Sequence, residues 1–312
     1  MAPMTETILA SIDIGSHTAR LLVCRKIGSS KDVRPLLRER AYIRLAEDFT
    51  SQGKRVIQPE AMERALKTLG EFASIAEEMG VEKVLAACTG VVREAENGDD
   101  FLNQIFERTG IRAHVLSGEE EARFTAKGVL HALGVQGRFS MIFDLGGGST
   151  EFIYGEQNLQ KTQSLPLGAM VLTQKHLKSD PPGEEEIDAL EQDVDDVLTK
   201  AFSEGHLQGN GLVVGTGGTV TTLGAMLRHM DIEEISPKRM NGLTLSREEL
   251  EDLFKRLKTM TFDERLRLKG LDQGRANVIP AGCVVVLRIL RFFKTREMVV
   301  SLSDLLEGMV LA

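Results

Sequence analysis

The chain has 312 residues, 42% of them hydrophobic, a formal net charge of −8 and no Trp. Length and apolar share are enough for full hydrophobic cores, expected in two domains, and the acidic balance argues against a nucleic-acid partner. No uncharged apolar run reaches about 18 residues, which argues against a membrane span, and no Lys or Arg precedes Arg20, which argues against a signal peptide. Cys24, Cys88 and Cys283 are far apart and odd in number. They fit a reducing cytoplasm, with neither a disulfide framework nor zinc-ligand spacing.

In chain order, residues 8–25 read as two strands around a turn, in which an apolar run ends at Asp13 and is followed by Gly15, Ser16 and Thr18. Residues 33–45 read as a third strand. Pro59 suits the first turn of an amphipathic helix, and Gly80 marks its exit. Val84 to Cys88 is a short buried strand leading into Thr89-Gly-Val-Val-Arg93. A helix from Asp99 to Arg108 and a strand from Arg112 to Leu116 follow. Strands alternating with helices predict an α/β architecture. Ser117-Gly-Glu-Glu-Glu-Ala-Arg123 opens the next helix, with Ser117 and Glu120 in capping-box register. The cap and the helix dipole account for Glu119 and Glu120. They account less well for Glu121, one step past the box.

The densest motif is Met141-Ile-Phe-Asp-Leu-Gly-Gly-Gly-Ser-Thr-Glu-Phe-Ile-Tyr154. Three consecutive glycines cost folding entropy, so the turn needs positive φ or an unshielded approach to backbone N–H groups. Successive N–H groups in such a turn form a nest for phosphate oxygens. Asp144 and Glu151 flank it as hard oxygen ligands suited to Mg²⁺. The alternative is a tight hairpin turn, which rarely needs Gly-Gly-Gly. The Asp13 turn repeats the plan 131 residues earlier, and an apolar run ends in a third glycine turn, Gly215-Thr-Gly-Gly-Thr219. Two strand–Asp–x–Gly–strand units at this spacing predict two similar halves facing one cleft.

Further helices are expected near 184–204 and 218–229, after a cap at Ser246, and as one buried helix from Arg275 through Pro280 to Phe293. No low-complexity linker interrupts the chain. The domain boundary is therefore expected inside a helix near residue 125, giving domains 1–125 and 126–312, with 300–312 free to pack back on the first. Glu184 to Asp196 holds eight acidic residues and no basic one, the pattern of a solvated helix face. Lys255 to Arg296 holds eleven Lys or Arg and three acidic residues. That is either ordinary helical surface or a local field for a polyanion.

Asp13-Ile-Gly-Ser-His-Thr-Ala-Arg20, Ser117-Gly-Glu-Glu-Glu-Ala-Arg123, Asp144-Leu-Gly-Gly-Gly-Ser-Thr-Glu151 and Gly215-Thr-Gly-Gly-Thr219 come in the order seen in exopolyphosphatase/guanosine pentaphosphate phosphatase (Ppx/GppA) proteins. The chain resembles the short two-domain form of that family over about residues 8–310. The resemblance implies two ribonuclease H-like domains of the actin, sugar-kinase and heat-shock-chaperone superfamily, with an interdomain phosphate cleft. By motif match, Glu121 is the expected catalytic base and Arg93 an arginine facing the phosphate. Gly146, Gly147, Gly148 and Ser149 form the expected phosphate loop. Gly15, Ser16, Gly217 and Gly218 stand in the two further glycine turns. Asp144 and Glu151 are expected near an Mg²⁺ cofactor, and Asp13 either adds a water-mediated metal contact or caps its own turn.

Two departures stand out. His17 replaces the family's usual Asn, where a lone His more often serves as a local hydrogen-bonder. Ser303-Asp-Leu-Leu-Glu-Gly308 is a shortened form of a family string, lacking its Gly and Arg. The additional helical domain of long members is not expected here.

Hydrolysis of a terminal phosphoanhydride needs positioning, charge neutralisation and an aligned water rather than covalent assistance. A free carboxylate is a weak base, so burial or nearby like charge is expected to raise the basicity of Glu121. Three readings follow. The leading one is an exopolyphosphatase acting on inorganic polyphosphate. The second is a guanosine pentaphosphate phosphatase, for which no base-stacking pocket is evident in the sequence. The third is an ATP-binding regulatory module of the actin type, which would not need Glu121 at its position. Homodimerisation is left open.

Overall fold

A computed structural model of the chain describes residues 6–27, 33–49, 55–135, 139–154, 161–202 and 212–312. These divide into two compact units, Met1–Gly128 with Leu305–Ala312, and Val129–Asp304. The first comprises β1 (Glu6–Ile14), β2 (Thr18–Ile27), β3 (Val33–Tyr42), α1 (Pro59–Glu78), β4 (Lys83–Cys88), α2 (Gly90–Glu94), α3 (Gly98–Thr109), β5 (Ala113–Val115) and most of α4 (Gly118–Leu133). The second opens with β6 (Phe139–Leu145), β7 (Thr150–Tyr154), β8 (Lys161–Leu165), α5 (Ala169–His176), α6 (Glu184–Ala201), β9 (Leu212–Thr216) and α7 (Gly218–Leu227). It continues with α8 (Pro237–Met240), β10 (Thr244–Ser246), α9 (Arg247–Leu257), α10 (Phe262–Arg265), α11 (Ile279–Phe292) and β11 (Glu297–Val300). The closing helix α12 (Leu305–Val310) belongs to the first unit.

The two sheets share one plan. Unit 1 has strand order β3-β2-β1-β4-β5, and unit 2 has β8-β7-β6-β9-β11 with β10 added at the far edge. In each, the first three strands form an antiparallel meander and the fourth joins the first in parallel. Parallel strands covered on both faces read as continuous apolar runs. Hence Ala10, Ile12 and Ile14 in β1, and Met141, Ile142, Phe143 and Leu145 in β6, are all buried. β3 is an edge strand and tolerates Pro35 for that reason.

In unit 1, α1 buries Ala61, Ala65, Leu69, Phe72 and Ala76, one stripe of the helix, after Pro59 in its first turn. α12 packs Leu305, Leu306, Met309 and Val310 onto Leu22, Cys24, Ala87 and Leu116. The shortened C-terminal string is thus built into a core. Glu307 pairs with Arg38, the Leu306 carbonyl accepts from Ser11 Oγ at 2.9 Å, and a Cβ on Gly308 would stand 1.8 Å from the Phe124 carbonyl oxygen. Burial pushes the Cys24 thiol up to about 11 and raises Cys88 as well.

In unit 2, α11 is buried along nearly its whole length and packs against α5, α6, α7 and α9. Phe143, Phe152, Phe202 and Phe293 form an aromatic cluster beside it. Several sequence expectations are corrected. The helix expected from Arg275 begins at Ile279, after a separate 3-10 turn at Gln273–Arg275. Pro280 opens it, since the first turn needs no N–H from that residue. The strand expected to run to 45 stops at Tyr42, because the Ile43 and Arg44 amides donate to the His17 carbonyl instead, each at 3.0 Å. The helix expected to reach 204 ends at Ala201, and residues 203–211 lie outside the described set.

The two charge runs are not simple solvated surface. Arg288 of the basic run pairs with Asp195 and Glu191 of the acidic run. Asp193 takes Lys175 and His176, and Glu186 caps the start of its own helix. Lys255, Lys258, Arg265, Lys269 and Arg291 also have carboxylate partners within unit 2.

Candidate active site

In unit 2 the antiparallel register sets Asp144 directly opposite Glu151, and Glu151 opposite Ser164. The parallel register with β9 sets Thr216 on the other side of Asp144. Residues in register point to the same face of a sheet. Thr216, Asp144, Glu151 and Ser164 therefore form one polar row across four strands, at the ends where the glycine turns lie. Glu151 is 3% exposed. Its Oε1 accepts from Ser149 Oγ at 2.6 Å and from Ser164 Oγ at 2.8 Å, which fixes the carboxylate against the loop.

The triple glycine sits between β6 and β7. Its need for glycine is one of approach. The first amides of α5 donate to the loop, Ala169 N–H to the Gly146 carbonyl and Met170 N–H to the Gly147 carbonyl, both at 3.0 Å. A Cβ on Gly168 would lie 2.3 Å from the Gly147 carbonyl oxygen, so helix and loop touch backbone to backbone. Gly146 N–H is used within the turn itself, donating to the Ser149 carbonyl at 3.0 Å, so of the expected phosphate loop only the amides of Gly147, Gly148 and Ser149 stay candidates for an anion. The positive φ falls instead in the third turn, at Gly217 (φ 91). A Cβ there would meet Asp144 Oδ1 at 2.6 Å, so the carboxylate leans against this turn too. Gly218 opens α7, and the Arg275 guanidinium fills the space its missing side chain leaves, 1.8 Å from a notional Cβ. The sequence reading placed Arg275 only at a helix start. It missed this neighbour, since nothing local links residues 218 and 275.

The equivalent row in unit 1 carries different chemistry. Register aligns Ala87, Asp13, Arg20 and Arg40. Asp13 Oδ2 accepts from Arg20 at 2.7 and 2.8 Å, an ion pair that the sequence reading did not foresee. The pair engages one oxygen, Oδ2, of the carboxylate expected either as a metal contact or as a turn cap. Gly15 N–H donates to the Thr18 carbonyl at 3.0 Å, and the Ser16 carbonyl accepts from Ala46 N–H at 3.1 Å. The His17 ring meets Tyr42 edge-on, with centroids 5.1 Å apart.

Ser117 and Glu120 close a capping box: Glu120 N–H donates to Ser117 Oγ at 3.2 Å and the Glu120 carboxylate accepts from Ser117 N–H at 3.0 Å. These hydrogen bonds from Ser117 hold the Glu120 carboxyl below its ordinary pKa. Glu121 points elsewhere. It is 9% exposed, and its Oε2 accepts from Arg93 Nη1 at 3.3 Å. The same Nη1 donates to the Leu116 carbonyl at 2.7 Å, so backbone holds the guanidinium in place. The fold thus brings together the two residues expected to be catalytic, which lie on separate helices.

Asp144 and Glu151 are a donor set of two hard carboxylates beside hydroxyls and a glycine loop. Mg²⁺ is characteristically held by one or two carboxylates, waters and substrate phosphates, and these residues fit it.

The model of the Ppx/GppA phosphatase family matches residues 22–312. Exopolyphosphatase 2 of Mycobacterium tuberculosis is 31% identical, over 99% of both chains. The crystal structure of an exopolyphosphatase from Cytophaga hutchinsonii superposes with a TM-score of 0.84 at 29% identity, covering 97% of this chain and 96% of that one. The Aquifex aeolicus member of the Ppx/GppA family gives 0.80 at 29% identity, covering 98% and 97%. Taken with the glycine-loop row and the Arg93–Glu121 pair, the match places the chain in the Ppx/GppA phosphatase family.

Proposed function

We propose that this protein is an exopolyphosphatase that releases orthophosphate from the end of inorganic polyphosphate. The observation that carries the reading is the Asp144–Glu151 pair locked beside the triple-glycine loop, in a chain whose full-length relatives bear that name. The loop N–H groups of Gly147, Gly148 and Ser149 bind the terminal phosphate, with the glycine turn at Gly217–Gly218 as a further anion contact. Asp144 and Glu151 would hold Mg²⁺, which when bound would offset negative charge on the phosphate oxygens. Glu121 orients the attacking water and takes its proton. Arg93 shares the charge that develops on the transferring group, besides positioning Glu121. Water adds to the terminal phosphorus, the bridging P–O bond breaks, and the shortened polymer leaves with the electron pair.

The test is phosphate release from short polyphosphate, long polyphosphate, guanosine pentaphosphate and ATP, side by side with Mg²⁺. Polyphosphate turning over fastest is expected; a clear preference for guanosine pentaphosphate would replace this reading. Asp144→Ala is expected to fold and to lose Mg²⁺-dependent turnover. Unchanged Mg²⁺ binding by calorimetry in the folded variant would refute the ligand role.

A further inference from the structure

Thr216 is fully buried at the last position of β9, yet among the described residues its Oγ1 has no hydrogen-bond partner. Two other hydroxyls of the same segment are satisfied. Thr221 Oγ1 donates to the Gly217 carbonyl at 3.1 Å and Thr222 Oγ1 to the Gly218 carbonyl at 2.8 Å. A buried hydroxyl without a partner is destabilising, and valine has nearly the same shape without that cost. The position is also asymmetric within the molecule. The register equivalent in unit 1 is Ala87, beside Asp13, so the shared sheet plan does not require a hydroxyl there. Thr216 is the strand neighbour of Asp144 on the same face, and the Asp144 carboxylate leans over the next residue, Gly217.

We propose that Thr216 is a positioning residue of the unit 2 site, its hydroxyl donating to the Asp144 carboxylate when that carboxylate turns to hold the Mg²⁺–phosphate load. The inference rests on the functional reading above. In the unloaded protein the hydroxyl contributes nothing; in the loaded one it fixes the ligand carboxylate and gains the bond that it lacks. Placement of the hydroxyl thereby trades resting stability for function, a pattern expected at sites that bind charge.

The experiment compares wild type, Thr216→Val and Thr216→Ser by thermal unfolding, without ligand and with Mg²⁺ plus inorganic phosphate, and by polyphosphate turnover. Thr216→Val is expected to melt at or above the wild-type temperature without ligand. Its shift on adding Mg²⁺ and phosphate should fall below half that of wild type, with kcat/KM down about tenfold, the scale of one hydrogen bond to a charged group. Thr216→Ser should restore both. A Thr216→Val protein that melts lower without ligand but keeps the full ligand shift would show a purely structural hydroxyl and overturn the proposal. So would a variant identical to wild type in every measurement. Wild type with no ligand shift and no polyphosphate turnover would overturn the functional reading itself, and this proposal with it.

Discussion

Two neighbouring glutamates show how far side-chain chemistry can be assigned from local sequence. Glu120 closes a box with Ser117 three residues earlier, so its role was legible from spacing alone. Glu121 was singled out because the box did not need it, and the fold buries it against Arg93, 28 residues away. No local pattern encodes that contact; only the resemblance suggested both residues. If Glu121 is the base, Glu121→Gln should cut phosphate release by about 10²–10⁴ while leaving the melting temperature and phosphate-dependent stabilisation near wild type. Glu120→Gln should weaken the start of α4 and leave turnover largely intact. Equal kinetic losses in the two variants, measured by steady-state phosphate release, would remove the distinction. The Asp13–Arg20 pair is the opposite case. Its partners are seven residues apart, but only the antiparallel register across the turn brings them face to face.

At the scale of elements, helix starts and stops were legible wherever they rest on local chemistry, as at Pro59, Ser117 and Ser246. They were misread where a tertiary partner decides, as where His17 and Ser16 capture the chain after Tyr42. Two elements lend themselves to tests. Gly308 lets α12 cross α4 at backbone contact, and Gly308→Ala would drive a methyl into the Phe124 carbonyl. Overpacking of this kind costs typically about 1–3 kcal/mol. Denaturant unfolding should show at least the upper part of that range, because the obstructing atom is backbone and cannot rotate away.

The second test is the start of α6. Glu186 accepts from Ser179 Oγ at 2.6 Å and from the Gly183, Lys178 and Ser179 amides at 3.0, 3.0 and 3.1 Å. The Ser179 hydroxyl is the largest cause, and together these donors bring the carboxyl from its usual 4.5 down to about 2. A carboxylate with a depressed folded pKa stabilises the protein above its unfolded pKa and loses that contribution as pH falls through the folded value. Melting temperature should therefore fall more steeply between about pH 4.5 and 2 in wild type than in Glu186→Gln. The two curves running parallel across that window would mean that the cap does not contribute.

Across the whole molecule, the two Asp-x-Gly turns signalled a repeated plan, and the sheets carry it strand by strand. Sequence alone did not show that the repeated rows differ in charge, Asp13–Arg20–Arg40 in one unit against Asp144–Glu151–Ser164 in the other. Nor did it show where the basic run spends its charge. Among the described residues, Lys255, Lys258, Arg265, Lys269, Arg288 and Arg291 of the basic run have carboxylate partners in their own unit. A paired guanidinium or ammonium presents little net field to a polyanion, and the chain as a whole carries −8. On the proposed function, a long polyphosphate would then have its strongest contacts at the glycine loops. Affinity gained mainly from the terminal phosphates does not survive each cleavage event, so the shortened polymer should dissociate between turnovers. Distributive action is expected, with intermediate lengths accumulating and with binding that weakens as salt screens the remaining charges. Gel analysis of a partial digest of long polyphosphate decides the matter: a ladder of intermediates supports it, whereas full-length polymer and free phosphate with nothing between would mean that the paired charges still form a track.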